Sequence, residues 1–122
     1  MIGTPASYSK SKLVGLHSPT SLKKGEYYAN ISEGGQIIAS LYVLKRDGYI
    51  IRDVFVVPEH RGYGHGHALI EMVIKHLKPK GQSIQLYVDP ANEAAISLYK
   101  KSGFVLKGPG LHGDLYFLPA AA

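Results

Sequence analysis

The 122-residue chain has no cysteine and no tryptophan. Without cysteine there is no disulfide scaffold, no thiolate zinc site, no iron–sulfur cluster and no cysteine nucleophile, and the composition fits a reducing compartment. Long apolar runs are missing as well; none approaches the ~20 residues of a membrane span. The start, Met1-Ile2-Gly3-Thr4-Pro5, lacks the charged region and apolar core of a signal peptide. A cytoplasmic protein with no membrane partner is the expectation. Charge is not massed either. The 14 Lys+Arg and 9 Asp+Glu give +5, scattered without a block of about five or six like charges. With no basic stripe and no RNA-binding aromatic motif, nucleic acid is not the expected partner. The excess fits a solvated surface and, weakly, an anionic small ligand. Repeats of ~20–50 residues are absent.

What remains is 45% hydrophobic and 19% charged, which suits a packed globule. The length suits one domain over residues 1–122, with 1–11 and 119–122 as loose ends. Tyr27 to Ile31, Ile37 to Leu44 and Tyr49 to Val57 read as strands, separated by Gly34-Gly35 and Asp47-Gly48. Those dipeptides supply the positive φ angles of tight hairpins. The third strand is apolar on both faces apart from Arg52 and Asp53, which predicts a central, covered strand. From Gly64 to Lys78 the period becomes helical, with Leu69, Ile70, Val73, Ile74 and Leu77 on one stripe. Ile84 to Val88 reads as a strand, and Asp89-Pro90 opens a helix through about Ser102 that Gly103 stops. Phe104 to Leu106 and Leu115 to Leu118 read as strands around a Gly108-Pro109-Gly110 turn. With Lys12 to Leu16 as a first strand, the order is β-β-β-β-α-β-α-β-β, an α+β domain with a mixed sheet.

The segment Val57-Pro58-Glu59-His60-Arg61-Gly62-Tyr63-Gly64-His65-Gly66 joins the central strand to the first helix. Alternate glycines let the backbone turn tightly with its N–H groups inward, and such a nest at a helix N-terminus suits a phosphate or diphosphate. Arg61 adds a cation there; an ordinary surface charge is the alternative, but its position beside the glycines argues otherwise. The spacing fails both the dinucleotide fingerprint, since residue 67 is His, and the Walker A loop, since no Lys follows. A ligand-free glycine connection is the alternative.

In context, Arg61-Gly62-Tyr63-Gly64-His65-Gly66 followed by Ala68-Leu69 resembles the acyl-CoA-binding motif of the GNAT acyltransferase superfamily, [Q/R]-x-x-G-x-[G/A]. Leu86 to Phe104, with Asn92, Ala95, Tyr99 and Gly103-Phe104, is similar to that family's strand–Asn–x-x-Ala–x-x-x-Tyr–x-x-x-Gly-Phe segment. The resemblance covers about Tyr27 to Phe117. It implies a mixed, mostly antiparallel sheet with a splayed central strand pair, two flanking helices and a shortened N-terminal helical region. It also implies an N-acyltransferase, most simply an N-acetyltransferase, with acetyl-CoA or another acyl-CoA as co-substrate and no metal. The amine acceptor would be a small molecule or a protein, attacking directly in a ternary complex. The family's roles carry over by residue. Backbone N–H groups of Arg61, Gly62, Tyr63, Gly64, His65 and Gly66 hold the diphosphate. Val54, Phe55 and Val56 pair with the pantetheine arm, and an N–H near Val56 polarises the thioester carbonyl. Asn92 contacts the arm, and Tyr99 is the general acid.

Tyr99 is suited to that task, since a phenol with a reference pKa of ~10 stays protonated at pH 7 while a thiol near ~8.5 departs. The acceptor is harder, because a lysine-like amine at ~10.4 is neutral in only roughly one molecule in 2,500 at pH 7. A strongly basic amine therefore needs a proton acceptor, and the sequence assigns none: either water and backbone carbonyls suffice, or the acceptor is already partly neutral, or the chain has lost activity. Where relatives carry a carboxylate, this chain has Ile50 or Arg52, and Tyr87. Asp53 lies on the opposite face from Val54 and Val56 by strand alternation, while Glu59, His60 and His112 are other candidates. Between the first two strands relatives place helices that wall the acceptor side. Only His17 to Gly25 is available here, so the site is expected to be open, or completed by another copy in a homo-oligomer. Plainer roles exist too: Tyr99 as a half-buried aromatic, Asn92 as a helix N-cap, and His60, His65 and His67 as surface histidines rather than a metal cluster. A non-catalytic module of the same fold, still able to bind CoA, is the alternative function.

Overall fold

The computed structural model describes residues 6–9, 12–17, 22–111 and 113–119. His112 and the outer parts of both expected loose ends lie outside the described residues. The strands are β1 (Ala6–Ser9), β2 (Lys12–His17), β3 (Tyr27–Glu33), β4 (Gln36–Lys45), β5 (Tyr49–Val56), β6 (Ile84–Val88), β7 (Val105–Gly110) and β8 (Gly113–Leu118). Helix α1 spans His65–Leu77 and α2 spans Glu93–Lys101. One eight-stranded sheet runs in the order β1-β2-β3-β4-β5-β6-β8-β7. Only the β5–β6 pair is parallel, so the sheet is mixed and mostly antiparallel, as expected.

The two glycine-bearing hairpins form where their turn chemistry places them. Gly34, Gly35, Asp47 and Gly48 all take positive φ, and β3, β4 and β5 pair in turn as antiparallel neighbours, with one register shift in each pair. Helix α1 packs on these three strands and buries Leu69, Ile70, Val73 and Leu77 against Ala29, Ile31, Leu41, Val43 and Ile51. Helix α2 meets the start of α1, where Leu98 lies 3.3 Å from the position a Cβ on Gly66 would take. Phe104 fills the core behind α2, with its ring edge-on to Tyr99 at 6.2 Å.

Four expectations need correction. The Ser/Lys-rich start contributes β1, paired with β2; a neighbouring strand supplies hydrogen bonds that local composition does not reveal. Gly108-Pro109-Gly110 is not the turn but the end of β7, opposite Leu115, Asp114 and Gly113. Helix α2 begins at Glu93 rather than at Asp89-Pro90, because Asp89 folds its Oδ1 back onto Ala91 N–H at 2.9 Å and makes a turn of those residues. β5 is central but not covered throughout, since Arg52, Asp53 and Phe55 are exposed.

The departure in β5 has one cause. Ser40 pairs with Phe55 and Tyr42 with Arg52, so two residues of β5 oppose one of β4. That is a β-bulge, and Asp53 takes φ 56° within it. The extra residue resets the alternation. Tyr49 and Ile51 point to the core before the bulge, whereas Val54 and Val56 are the more buried positions after it.

Among the described residues, no helix lies between β2 and β3, in keeping with the short connection. No helix among them is long and apolar enough to cross a membrane.

Candidate functional site

Two features of β5 and β6 open a cleft. The strands pair only at Tyr49↔Ile84 and Ile50↔Gln85. Beyond Ile50 they part, so the β6-facing edge of β5 lacks a strand partner through Val56. Val57 N–H donates to Ile38 O at 2.9 Å on the β4 side. Because polar groups alternate along a strand, the N–H and C=O of Val56 and Val54 face the gap. The carbonyl of Val56 is already engaged by Arg61 Nε at 2.9 Å; its amide has no such partner among the described residues.

The cleft itself has a volume near 460 Å³, with Ile50, Ile51, Leu86 and Val88 among its apolar walls. A second hollow of about 670 Å³ lies along the glycine turn and α2. Val54, Asn92, Ala95 and Tyr99 line both. The two spaces therefore meet at Tyr99.

The turn presents a run of open main-chain amides. After a single 3₁₀ turn at Pro58–His60, Gly62 and Gly64 adopt φ 84° and 83° with nothing within 4 Å of where a Cβ would sit. The amides of Gly62, Tyr63, Gly64, Gly66 and His67 donate to no acceptor among the described residues, and the first donor back into the turn is Ala68 N–H, to Gly64 O at 3.0 Å. Open amides at the positive end of a 13-residue helix suit a phosphate. Arg61 differs from expectation: its own amide reaches Pro58 O at 3.3 Å. Its guanidinium stacks over Phe55 at 5.7 Å, held to β5 while still beside the turn. Tyr63 is 72% exposed, with its ring toward His65.

The histidines are not a uniform surface set. His65 is only 5% exposed, between the rings of His60 and Tyr63, and His67 pairs with Glu71 at 3.3 Å. Among the described residues no group of three metal-ligating side chains comes together.

Asn92 does cap α2, since its Oδ1 accepts from Ala95 N–H at 3.1 Å. That bond engages the amide oxygen, and the residue borders both hollows. Tyr99 is 6% exposed, and burial pushes its hydroxyl above the ordinary phenol value. It is a protonated donor at neutral pH. Asp53, set aside by strand alternation, lines the cleft together with Tyr99. The bulge is what sequence reading missed, and no residue preference at Arg52-Asp53 announces it.

Residues 6–104 match the Acetyltransferase (GNAT) family. The chain belongs to that family. Over 59 residues it is 51% identical to a mycothiol acetyltransferase of Paenarthrobacter aurescens, a match covering 45% of this chain and 18% of that protein. The chain thus spans under a fifth of that relative's length. In structure it superposes on the ribosomal-protein-S18-alanine N-acetyltransferase of Escherichia coli with a TM-score of 0.71, 23% identity and coverage of 84% and 74% of the two chains. The PaiA N-acetyltransferase of Thermoplasma acidophilum, solved in complex with coenzyme A, gives 0.70 with 19% identity, over 77% of this chain and 60% of that one. The GNAT fold of this chain is the splayed sheet with its two helices, and its motif residues Arg61, Gly64, Gly66, Asn92 and Tyr99 all border the paired hollows.

Proposed function

We propose that the chain is an N-acetyltransferase that moves the acyl group of acetyl-CoA to an amine by direct attack in a ternary complex. The observation that carries this reading is the junction of the two hollows at Tyr99. A ligand bound along the glycine turn reaches the cleft through a junction lined by Val54, Asn92, Ala95 and Tyr99.

Acetyl-CoA supplies the acyl group as an activated thioester. Gly62, Tyr63, Gly64, His65, Gly66 and His67 offer main-chain amides to its diphosphate, with Arg61 alongside. The gap-facing polar groups of Val54 and the amide of Val56 pair with the arm, Phe55 underlies Arg61, and the Asn92 side-chain amide steadies the arm. The Val56 N–H polarises the thioester carbonyl, in the manner of an oxyanion donor. As the amine nitrogen bonds to the carbonyl carbon and the C–S bond breaks, Tyr99 gives its proton to the departing sulfur. Asp53 takes the proton that the amine loses. No covalent acyl-enzyme is required.

Tyr99→Phe tests the assignment. It keeps the ring packed on Phe104 and removes only the hydroxyl, and with it the transferable proton. Thiol release with an amine panel should fall by ~10²–10⁴-fold, the range for a positioned acid, while CoA affinity by calorimetry stays within about twofold. Normal turnover in the variant removes Tyr99 from the mechanism. CoA binding by the wild type with no thiol release for any amine would instead favour a non-catalytic module.

A further inference from the structure

We infer that the acceptor side of the cleft binds an anionic group, so that the amine acetylated here also carries a carboxylate, phosphate or sulfate held by Arg46 and Arg52. This deepens, and rests on, the acetyl-transfer reading above. Both arginines line the cleft, at some remove from the glycine turn, and neither borders the hollow that follows that turn.

Their settings differ in a useful way. Arg46 is fixed. Its Nη1 donates to Glu26 Oε2 at 3.0 Å and to Lys45 O at 2.8 Å. Glu26 is itself only 3% exposed and is anchored by the amides of Lys23 and Lys45, each at 3.0 Å. Both bonds of Arg46 leave from one nitrogen, and the rest of its planar donor fork has no partner among the described residues. A guanidinium held this way loses little freedom on meeting a carboxylate or phosphate. Arg52 sits opposite Tyr42 on β4, on the face away from the buried Val43 and Ile51, and forms no ion pair among the described residues.

The remaining charge in the cleft is of opposite sign and lies elsewhere. Asp53 follows Arg52 across the bulge, and Asp89 is occupied in its own turn. Arg46 follows β4 near the vertex where β5 and β6 still pair, whereas Asp53 adjoins Val54, one of the residues at the Tyr99 junction. An acceptor with an amine at one end and an anion at the other matches that order. A neutral amine would leave Arg52 without an ion-pair partner among the described residues, and Arg46 with Glu26 as its one carboxylate partner among them.

The anion could belong to a small molecule or to an acidic side chain near a peptide's N-terminus, and the test carries both sources. The probes are matched pairs: 6-aminohexanoate with 6-aminohexanamide, glucosamine 6-phosphate with glucosamine, and the peptide amides Ala-Asp-Ala and Ala-Asn-Ala. Each is titrated by calorimetry into the CoA-loaded protein and then offered with acetyl-CoA for thiol release. In at least one pair the charged member should bind at least about tenfold more tightly, as charge-assisted bidentate bonds allow. Arg52→Gln, at an exposed position, should shrink that ratio several-fold, with CoA affinity unchanged. Equal binding within every pair, no binding by any probe, or an undiminished ratio in Arg52→Gln overturns the inference. Preferential binding without any thiol release sinks the transferase reading and leaves this one standing. Equal turnover of both members does the reverse.

Discussion

Replacing Gly64 separates the anion cradle from every other role of the turn. The residue is left-handed, φ 83°, directly before α1, and a side chain there meets nothing within 4 Å. Folding therefore feels only the backbone strain, about 1–2 kcal/mol for an ordinary L-residue and less for Asn or Asp, which tolerate that region. A carboxylate at the helix N-terminus also favours the free helix by about 0.3–1 kcal/mol. Gly64→Asp should then melt at or above the temperature of Gly64→Asn, its near-isosteric neutral control. Ligand binding should move the other way. Two unit charges ~4 Å apart repel by about 1 kcal/mol in water and by about 4 kcal/mol at an effective dielectric constant near 20. For an exposed turn and a doubly charged diphosphate the lower end applies, about 1–2 kcal/mol in all. That is roughly 5–30-fold in Kd. Calorimetric titration of CoA into the two variants reads the difference. It should narrow at high salt, because the screening length drops from about 10 Å at 0.1 M to about 3 Å at 1 M. Equal affinity of Gly64→Asp and Gly64→Asn at low salt would refute the placement of an anion on this turn.

Other expectations follow from single side chains. Asp53→Asn keeps the bulge residue's shape and removes its basicity. It should lower kcat by ~10²-fold with CoA affinity unchanged, the loss being smaller for acceptors of low amine pKa. Glu26→Gln should destabilise the fold by about 1–3 kcal/mol, since the anion serves two amides and a guanidinium. The hydrogen bonds from Lys45 and Lys23, then Arg46, hold the Glu26 carboxyl below its ordinary 4.5. Its contribution is complete above that value and fades as pH falls through the lower folded one; denaturant midpoints of the Gln variant should lack this acid loss. His76 has a buried Nε2 with no hydrogen-bond partner and stacks edge-on to Tyr27 at 5.1 Å. Burial, aided by the charge of Lys80, pulls its pKa below 6.5. The unfolded imidazole therefore takes a proton first, so stability should decline as pH drops below 6.5 and level off beneath the folded value. His76→Phe should remove that slope.

Much of the architecture was legible because its signals are local. Gly-Gly and Asp-Gly fix hairpins wherever they stand between β-rich runs, and the stripe Leu69, Ile70, Val73, Leu77 admits no period but the helical one. The glycine turn and Tyr99 were legible for the same reason: spacing along one segment carried them. Features that depend on a distant partner were not. β1 exists because β2 is beside it, and Gly108 to Gly110 extend because β8 runs past them, although Gly-Pro-Gly in isolation favours a turn. The bulge at Asp53 is a mismatch between two strands, which no single strand can display. Arg46 gave no sequence signal, and Arg52 stood out only as occupying a position where relatives carry a carboxylate, since only the parting of β5 from β6 makes the two neighbours of one cleft.

The inserted residue in β5 has a consequence for how the chain can change. It divides one continuous segment into two compartments of tolerance. Alterations of Tyr49 and Ile51 should register as lost stability, because those two side chains are locked into the interior. Alterations of the exposed Arg52 and Asp53, which line the cleft, should register in how an acceptor is handled, at little thermodynamic penalty. New substrate preferences can thus accumulate a few ångströms from the hydrophobic centre without loosening it.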